Sequence, residues 1–405
     1  MSKPSSSQRR DPLLDLWRGL ALVDMAWVHL ATYPIGMAAL LAAWVGDYTR
    51  FAAGAFVFIS GLSVARVFGA KLVGDPAVAR STRRRLYHRA ITLAVLDRLV
   101  AVAFALVERS LSVPPVLTPS YPDVGDLLVF AAPGTTGGLL SLYAVLLLAT
   151  PLLDAARRRF GSAAVLTASA GLFAIAHAGG LGAQGTGWPF PVVYWQTLFV
   201  AGYVASHHLA AVRDRSGAIS WRWLALVSGA FAVVFLLRNG VSVGLAAPGT
   251  LPAWAFVKVP LSPAELAWYL AVSAFVLTWS AWAWERAAWI RQPLGWLPLL
   301  GRQSLPVYVA HLFVQLALVE ALTLLDPSVA GRALMLPLMV LILVGIAAAG
   351  ESVQRARRVR PEPSPKASVL HRIPAPALLG GTVMAGTFGA IVALQLLIGS
   401  IEAPP

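Results

Sequence analysis

Long apolar runs alternate with short polar interruptions along this chain, and the runs have the length of bilayer crossings. A hydrocarbon core of about 30 Å takes about 20 helical residues. Stretches of that size lie near 13–31, 51–69, 87–107, 137–153, 161–179, 191–210, 221–238, 263–284, 304–325, 331–349 and 377–399. Inside lipid a segment must satisfy its own backbone N–H and C=O groups, so each run is predicted to be a helix. The expected fold is an all-α polytopic membrane bundle of about 10–11 transmembrane helices.

The polar interruptions set the organisation. Residues 1–12 are Ser-rich and basic and read as a disordered cytosolic N-terminus. Residues 13–350 form the membrane domain, 351–376 a basic, Pro-punctuated cytosolic linker, and 377–405 an extra C-terminal helix with a short outer tail. Two outer connections are long, about 108–136, with five prolines, and about 239–262. Both are candidate meeting places for an extracytoplasmic partner, since long connections in compact proteins tend to be functional.

Composition agrees with the pattern. Hydrophobic residues make up 58% and charged residues only 12%, against about 25% charged in soluble domains, and the mean hydropathy is +0.71. The net charge of +14 does not point to nucleic acid, because the bases are sorted by segment. With the N-terminus inside, 24 of the 32 Lys and Arg fall in inner segments and five in outer ones, which is the positive-inside bias. Arg83, Arg84 and Arg85, like Arg157 to Arg159, read first as topology signals; Arg83 to Arg85 are also candidates for the phosphates of a cytosolic cofactor. The first run is not a cleavable signal, for it holds Arg18, Asp24 and His29 and lacks an A-x-A-like exit. There is no cysteine, which excludes disulfides and thiolate nucleophiles, and no metal-ligand cluster is evident.

Two textual motifs lack their context. Gly180 to Gly185 spells a dinucleotide fingerprint and Gly240 to Gly244 a nucleophile elbow. Both lie where a membrane helix meets an outer connection, without the strand that either motif needs.

Chemistry concentrates on intramembrane polar residues. An ionisable side chain at mid-bilayer costs about 2.5 to 3.5 kcal/mol on insertion scales. Arg18 and His29 share one helix face, because eleven steps of 100° return to within about 20°, and they differ in depth by about 16 Å. An imidazole near neutral pH suits general-base work. In the ninth span Ser304, Tyr308, His311 and Gln315 fall within about 60° of arc, a polar stripe that should face protein or water. Gln196, Tyr203 and His207 share a face of the sixth span. Asp97 and Arg98 sit mid-span in the third, placed to neutralise each other or to pair with Arg18 or Asp24.

The stretch from Arg10 to His29, Arg-Asp-Pro-Leu-Leu-Asp-Leu-Trp-Arg-Gly-Leu-Ala-Leu-Val-Asp-Met-Ala-Trp-Val-His, resembles the opening of OpgC-type glucan-modification proteins. More broadly it is similar to the membrane acyltransferase-3 superfamily, whose first helix carries Arg, ten residues, then His. Further blocks follow in order: Phe56-Val-Phe-Ile-Ser-Gly61, Leu142-Tyr143 with Pro151, Trp195 to Gly202, and Leu300-Gly-Arg-Gln-Ser-Leu305. The resemblance spans about residues 10–325. It implies an inner-membrane bundle that takes acyl-CoA from the cytosol and acylates a hydroxyl of an extracytoplasmic glycan, without a metal. In it His29 would be the base or transient acyl carrier, Arg18 would bind or orient the donor, and Asp15 would position the Arg18 guanidinium. The chain departs from the family pattern at Val28, where Asp is common before the histidine, and at Ala53-Gly54-Ala55, where an acid is common. Two other classes compete: a proton-coupled transporter or glycan flippase using His29, Asp24 and Asp97 as a relay, and a non-catalytic scaffold.

Overall fold

The computed structural model describes residues 11–31, 51–109, 138–180, 190–209, 219–239, 256, 258, 261–325 and 334–359. These residues form helices: α1 (Pro12–Ala31), α2 (Ala52–Val73), α3 (Pro76–Arg109), α4 (Leu139–Ala178), α5 (Val192–His208), α6 (Trp221–Asn239), α7 (Pro263–Arg286), α8 (Ala288–Arg291), α9 (Trp296–Arg302), α10 (Ser304–Leu325) and α11 (Met335–Val359). Seven of them, α2, α3, α4, α6, α7, α10 and α11, are long and apolar enough to cross a bilayer. This is an all-α, multi-pass membrane bundle. In α1 three charged residues dilute the apolar run, and α5 is only 17 residues long. The eleventh span, the two long outer connections apart from a few residues at their ends, residues 1–10, Leu181 to Gly185 and Gly240 to Gly244 lie outside the described residues.

The structure departs from the expected spans in three places. The fourth and fifth runs are not separated by a polar connection. Helix α4 continues through Arg157 to Arg159 to Phe160 and turns at Gly161 alone, whose φ of +86° is open to glycine and strained for other residues. Leu153 and Ala156 before the turn, and Val165 after it, pack with Val200 and Val204 of α5. Helix α3 starts eleven residues before the third run and spans 34 residues, about 51 Å, so its basic first turns extend beyond the apolar core. Helix α11 likewise runs on to Val359, past the expected end at 349.

Helix α1 is central, touching α2, α7, α9, α10 and α11. Its closest neighbour is α9, a seven-residue helix that hydropathy cannot reveal. Backbones meet there: a Cβ on Gly19 would collide with the Leu297 carbonyl, and one on Gly301 with the Asp15 carbonyl. The same device joins α2 to α5, where Gly61 lies against the Phe199 carbonyl and Gly202 against the Phe58 carbonyl. Small residues at membrane helix crossings allow this approach, and van der Waals contact then drives packing where lipid removes the hydrophobic incentive. Lipid-facing surface is apolar: Ile91, Val95 and Leu99 form an exposed stripe on α3, opposite the buried Asp97.

Buried charges are engaged. Asp97 pairs with Arg98 and accepts from Ser141 Oγ at 2.7 Å. Asp154 takes Tyr203 Oη at 2.8 Å, Arg158 at 3.1 Å and Arg157 at 3.5 Å, fastening α4 to α5. Asp24 Oδ2 accepts the backbone N–H groups of Phe51 and Ala52 at 3.1 and 2.8 Å, capping the start of α2.

Candidate active site

At the end of the bundle where α1 begins, α1, α2, α3, α4, α9 and α10 enclose a cavity of about 800 Å³. Its polar rim holds five cations, Arg18, Arg66, Lys71, Arg89 and Arg302, against two carboxylates, Asp11 and Asp15. Arg66 pairs with Asp11, and Arg302 with Glu351 at 2.8 Å. Apolar side chains such as Phe56, Ile59, Leu93, Leu140 and Leu147 line the walls, and Tyr143 and Tyr308 also reach the cavity.

Arg18 is held in place before any ligand arrives. Asp15, one turn earlier, faces its Nη1 at 3.4 Å, and Nη2 donates to Ser63 Oγ at 2.7 Å. That hydroxyl donates in turn to the Ile59 carbonyl at 2.6 Å. A planar guanidinium fixed on one edge keeps fork geometry for a second acceptor. The sequence reading missed Ser63, which lies two residues beyond the Phe56 to Gly61 block.

The polar stripe of α10 continues inward from this cavity. Ser304 and Tyr308 line it, His311 follows one turn on, and Gln315 one turn beyond that; His311 and Gln315 are fully buried. His29 of α1 meets this stripe: its ring centroid lies 5.2 Å from that of His311 at an interplanar angle of 46°, and Gln315 lies beside it. His311 also packs against Tyr308, with centroids 5.3 Å apart. The arrangement runs from Arg18 through Tyr143 and Tyr308 to His311 and His29. Tyr143, in the Leu142-Tyr143 block but not singled out as a site residue, has a buried hydroxyl with no hydrogen-bond partner among the described residues.

The remaining candidates lie elsewhere. Gln196 belongs to an interhelical seam, accepting Ser169 Oγ at 2.7 Å and donating to the Ser169 carbonyl at 3.0 Å. Arg83, Arg84 and Arg85 are exposed on the first turns of α3 and do not line the cavity, whereas Arg89 does. Among the described residues no group of three or more His, Asp or Glu could hold a metal ion.

Arg18 and His29 of α1, Tyr143 of α4 and Gly301 of α9 come from the blocks quoted from the sequence, and the family model of the OpgC protein matches residues 10–355. The chain belongs to the OpgC family. The match takes in every cavity-lining residue of this OpgC-family protein and both histidines. No curated protein and no solved structure matches it.

Proposed function

We propose that this OpgC-family protein is an integral-membrane O-acyltransferase. It moves an acetyl or succinyl group from cytosolic acyl-CoA to a hydroxyl of an extracytoplasmic glycan, with its N-terminus on the cytoplasmic side of the inner membrane. The observation that carries this reading is the cation-rimmed cavity that Tyr143 and Tyr308 also line, with Tyr308 one helical turn from His311, the ring neighbour of His29. Its size suits a small-molecule ligand, for which about 300–1,000 Å³ is usual. Five cations suit the phosphates of a CoA ester, and the apolar walls suit its pantetheine arm.

Chemistry then follows from depth. Arg18 orients the donor near the mouth, and Asp15 with Ser63 fixes the guanidinium. About 16 Å further along α1, His29 takes the proton of the acceptor hydroxyl or carries the acyl group transiently. His29 is half-buried and lies towards the far end of α1 from Arg18, which suits an acceptor arriving from the outer side. Only the acyl group then has to cross the bilayer. The transporter reading loses two of its three relay groups, since Asp24 caps a helix and Asp97 is paired with Arg98.

The test is transfer of labelled acetyl and succinyl groups from CoA to membrane-associated carbohydrate in matched membranes. Wild type should label the carbohydrate, and His29→Ala should lower the rate by about 10² to 10⁴ at equal expression. No label from wild type with either donor would overturn the reading.

A further inference from the structure

His311 has the geometry of an oriented proton carrier. Its Nδ1 lies within hydrogen-bond reach of the Tyr308 carbonyl. A carbonyl only accepts, so Nδ1 carries the proton and Nε2 holds the lone pair. That Nε2 is buried with no hydrogen-bond partner among the described residues. A buried polar atom left without a partner costs about 1–3 kcal/mol, and here it belongs to a fully buried side chain packed between the tilted His29 and Tyr308 rings. Backbone bonding of one ring nitrogen fixes the tautomer and aims the other, which is how an imidazole is prepared for proton transfer. The two histidines also differ in access. His311 follows Tyr308, which lines the donor cavity, and is fully buried, whereas His29 is half-buried.

We infer that His311 is a second catalytic residue, the one that returns the proton to the leaving sulfur, a step that rests on the acyltransferase reading. The acceptor oxygen attacks the thioester carbonyl carbon, forming the new C–O bond, and its proton passes to His29. His29 hands a proton to His311 Nε2. When the tetrahedral adduct collapses, the C–S bond breaks and the thiolate takes the proton from His311 Nε2. Thioester and alcohol have become ester and thiol, and both imidazoles end neutral. His29 serves the acceptor side and His311 the donor side.

The experiment compares wild type, His311→Gln and His29→Ala with two donors: whichever of acetyl-CoA and succinyl-CoA wild type uses, and the thiophenyl thioester of the same acid. A thiol of lower pKa leaves faster without protonation. His311→Gln should lose about 10² to 10⁴ in kcat with the CoA ester while its KM for that ester stays near wild type. With the thiophenyl ester most of that loss should vanish, whereas His29→Ala should stay impaired with both. With the CoA ester the double variant His29→Ala/His311→Gln should be little worse than His29→Ala alone, as groups acting as one unit are non-additive. Equal losses of His311→Gln with both donors, a full additive loss in the double variant, or wild-type kcat in His311→Gln would each overturn the inference while leaving the acyltransferase reading intact. Absence of ester from wild type would instead overturn that reading.

Discussion

Tyr143 and Arg18 face the same cavity from different helices, and Tyr143 keeps a buried hydroxyl without a hydrogen-bond partner among the described residues while Arg18 is held by Asp15 and Ser63. One group is fixed in place by its neighbours, and the other makes no bond that the fold would miss. Tyr143→Phe should therefore leave thermal stability at or above that of wild type, by up to about 1–3 kcal/mol, because removing an unpartnered buried hydroxyl breaks no native bond and relieves its desolvation cost. Donor KM should rise several-fold if that hydroxyl meets the acyl donor. Ser63→Ala should do the opposite to the site, loosening Arg18 without removing it. Thermal unfolding in detergent and initial-rate kinetics on both variants check the contrast.

Backbone contact between α1 and α9 shapes the cavity wall where Asp15 and Gly301 line it. Gly301→Ala drives a methyl group into the Asp15 carbonyl, and backbone cannot yield as a flexible side chain would. Overpacking of this kind costs about 1–3 kcal/mol, and here it would also displace the turn that carries Asp15 and Arg18. Both stability and activity should fall. Gly345→Ala meets open space and should change neither; a comparable loss in both variants would mean that the crossing is not the cause.

Asp24 separates a structural from a proton-carrying role. As the cap of α2 it needs only an acceptor oxygen, which Asn supplies about as well. Asp24→Asn should keep acyl transfer within about threefold of wild type, the loss being the charge attraction to the helix start, about 0.3–1 kcal/mol. Asp24→Ala should lower stability by about 1 kcal/mol. A dead but well-folded Asp24→Asn protein would return the carboxylate to the mechanism.

The spans were legible because bilayer length and hydropathy are properties of single segments. Ten of the eleven runs have a helical counterpart in the described residues. The Arg18 and His29 alignment was legible for the same reason, since both lie on one helix. What one segment cannot show is which faces meet. The α10 stripe could be drawn from spacing, but nothing in spacing said that His311 would lie against His29, or that Gln196 would spend its amide on Ser169. Gly61, Gly202 and Gly301 sat inside the family blocks, yet their reason is close approach to carbonyls on other helices. Helix α9 is invisible because seven residues carry no bilayer signal, and the basic start of α3 does not by itself tell Arg89, which borders the cavity, from Arg83 to Arg85, which do not.

That last difference gives a direct comparison along one helix. Arg83 and Arg89 are six residues apart on α3 and both are exposed, but Arg89 borders the cavity and Arg83 does not. If the rim receives the phosphates of acyl-CoA, Arg89→Gln should raise donor KM by about 3–10-fold with kcat little changed, because it removes binding shared by ground and transition states. The effect should shrink as salt rises, since an exposed charge is screened over about 10 Å at 0.1 M. Arg83→Gln should leave KM and its salt dependence as in wild type. Initial rates over a range of acyl-CoA concentration at two ionic strengths decide it. Equal effects from the two arginines would assign them to general attraction by the basic end of the bundle, and an effect from Arg83 alone would move the phosphate site off the cavity.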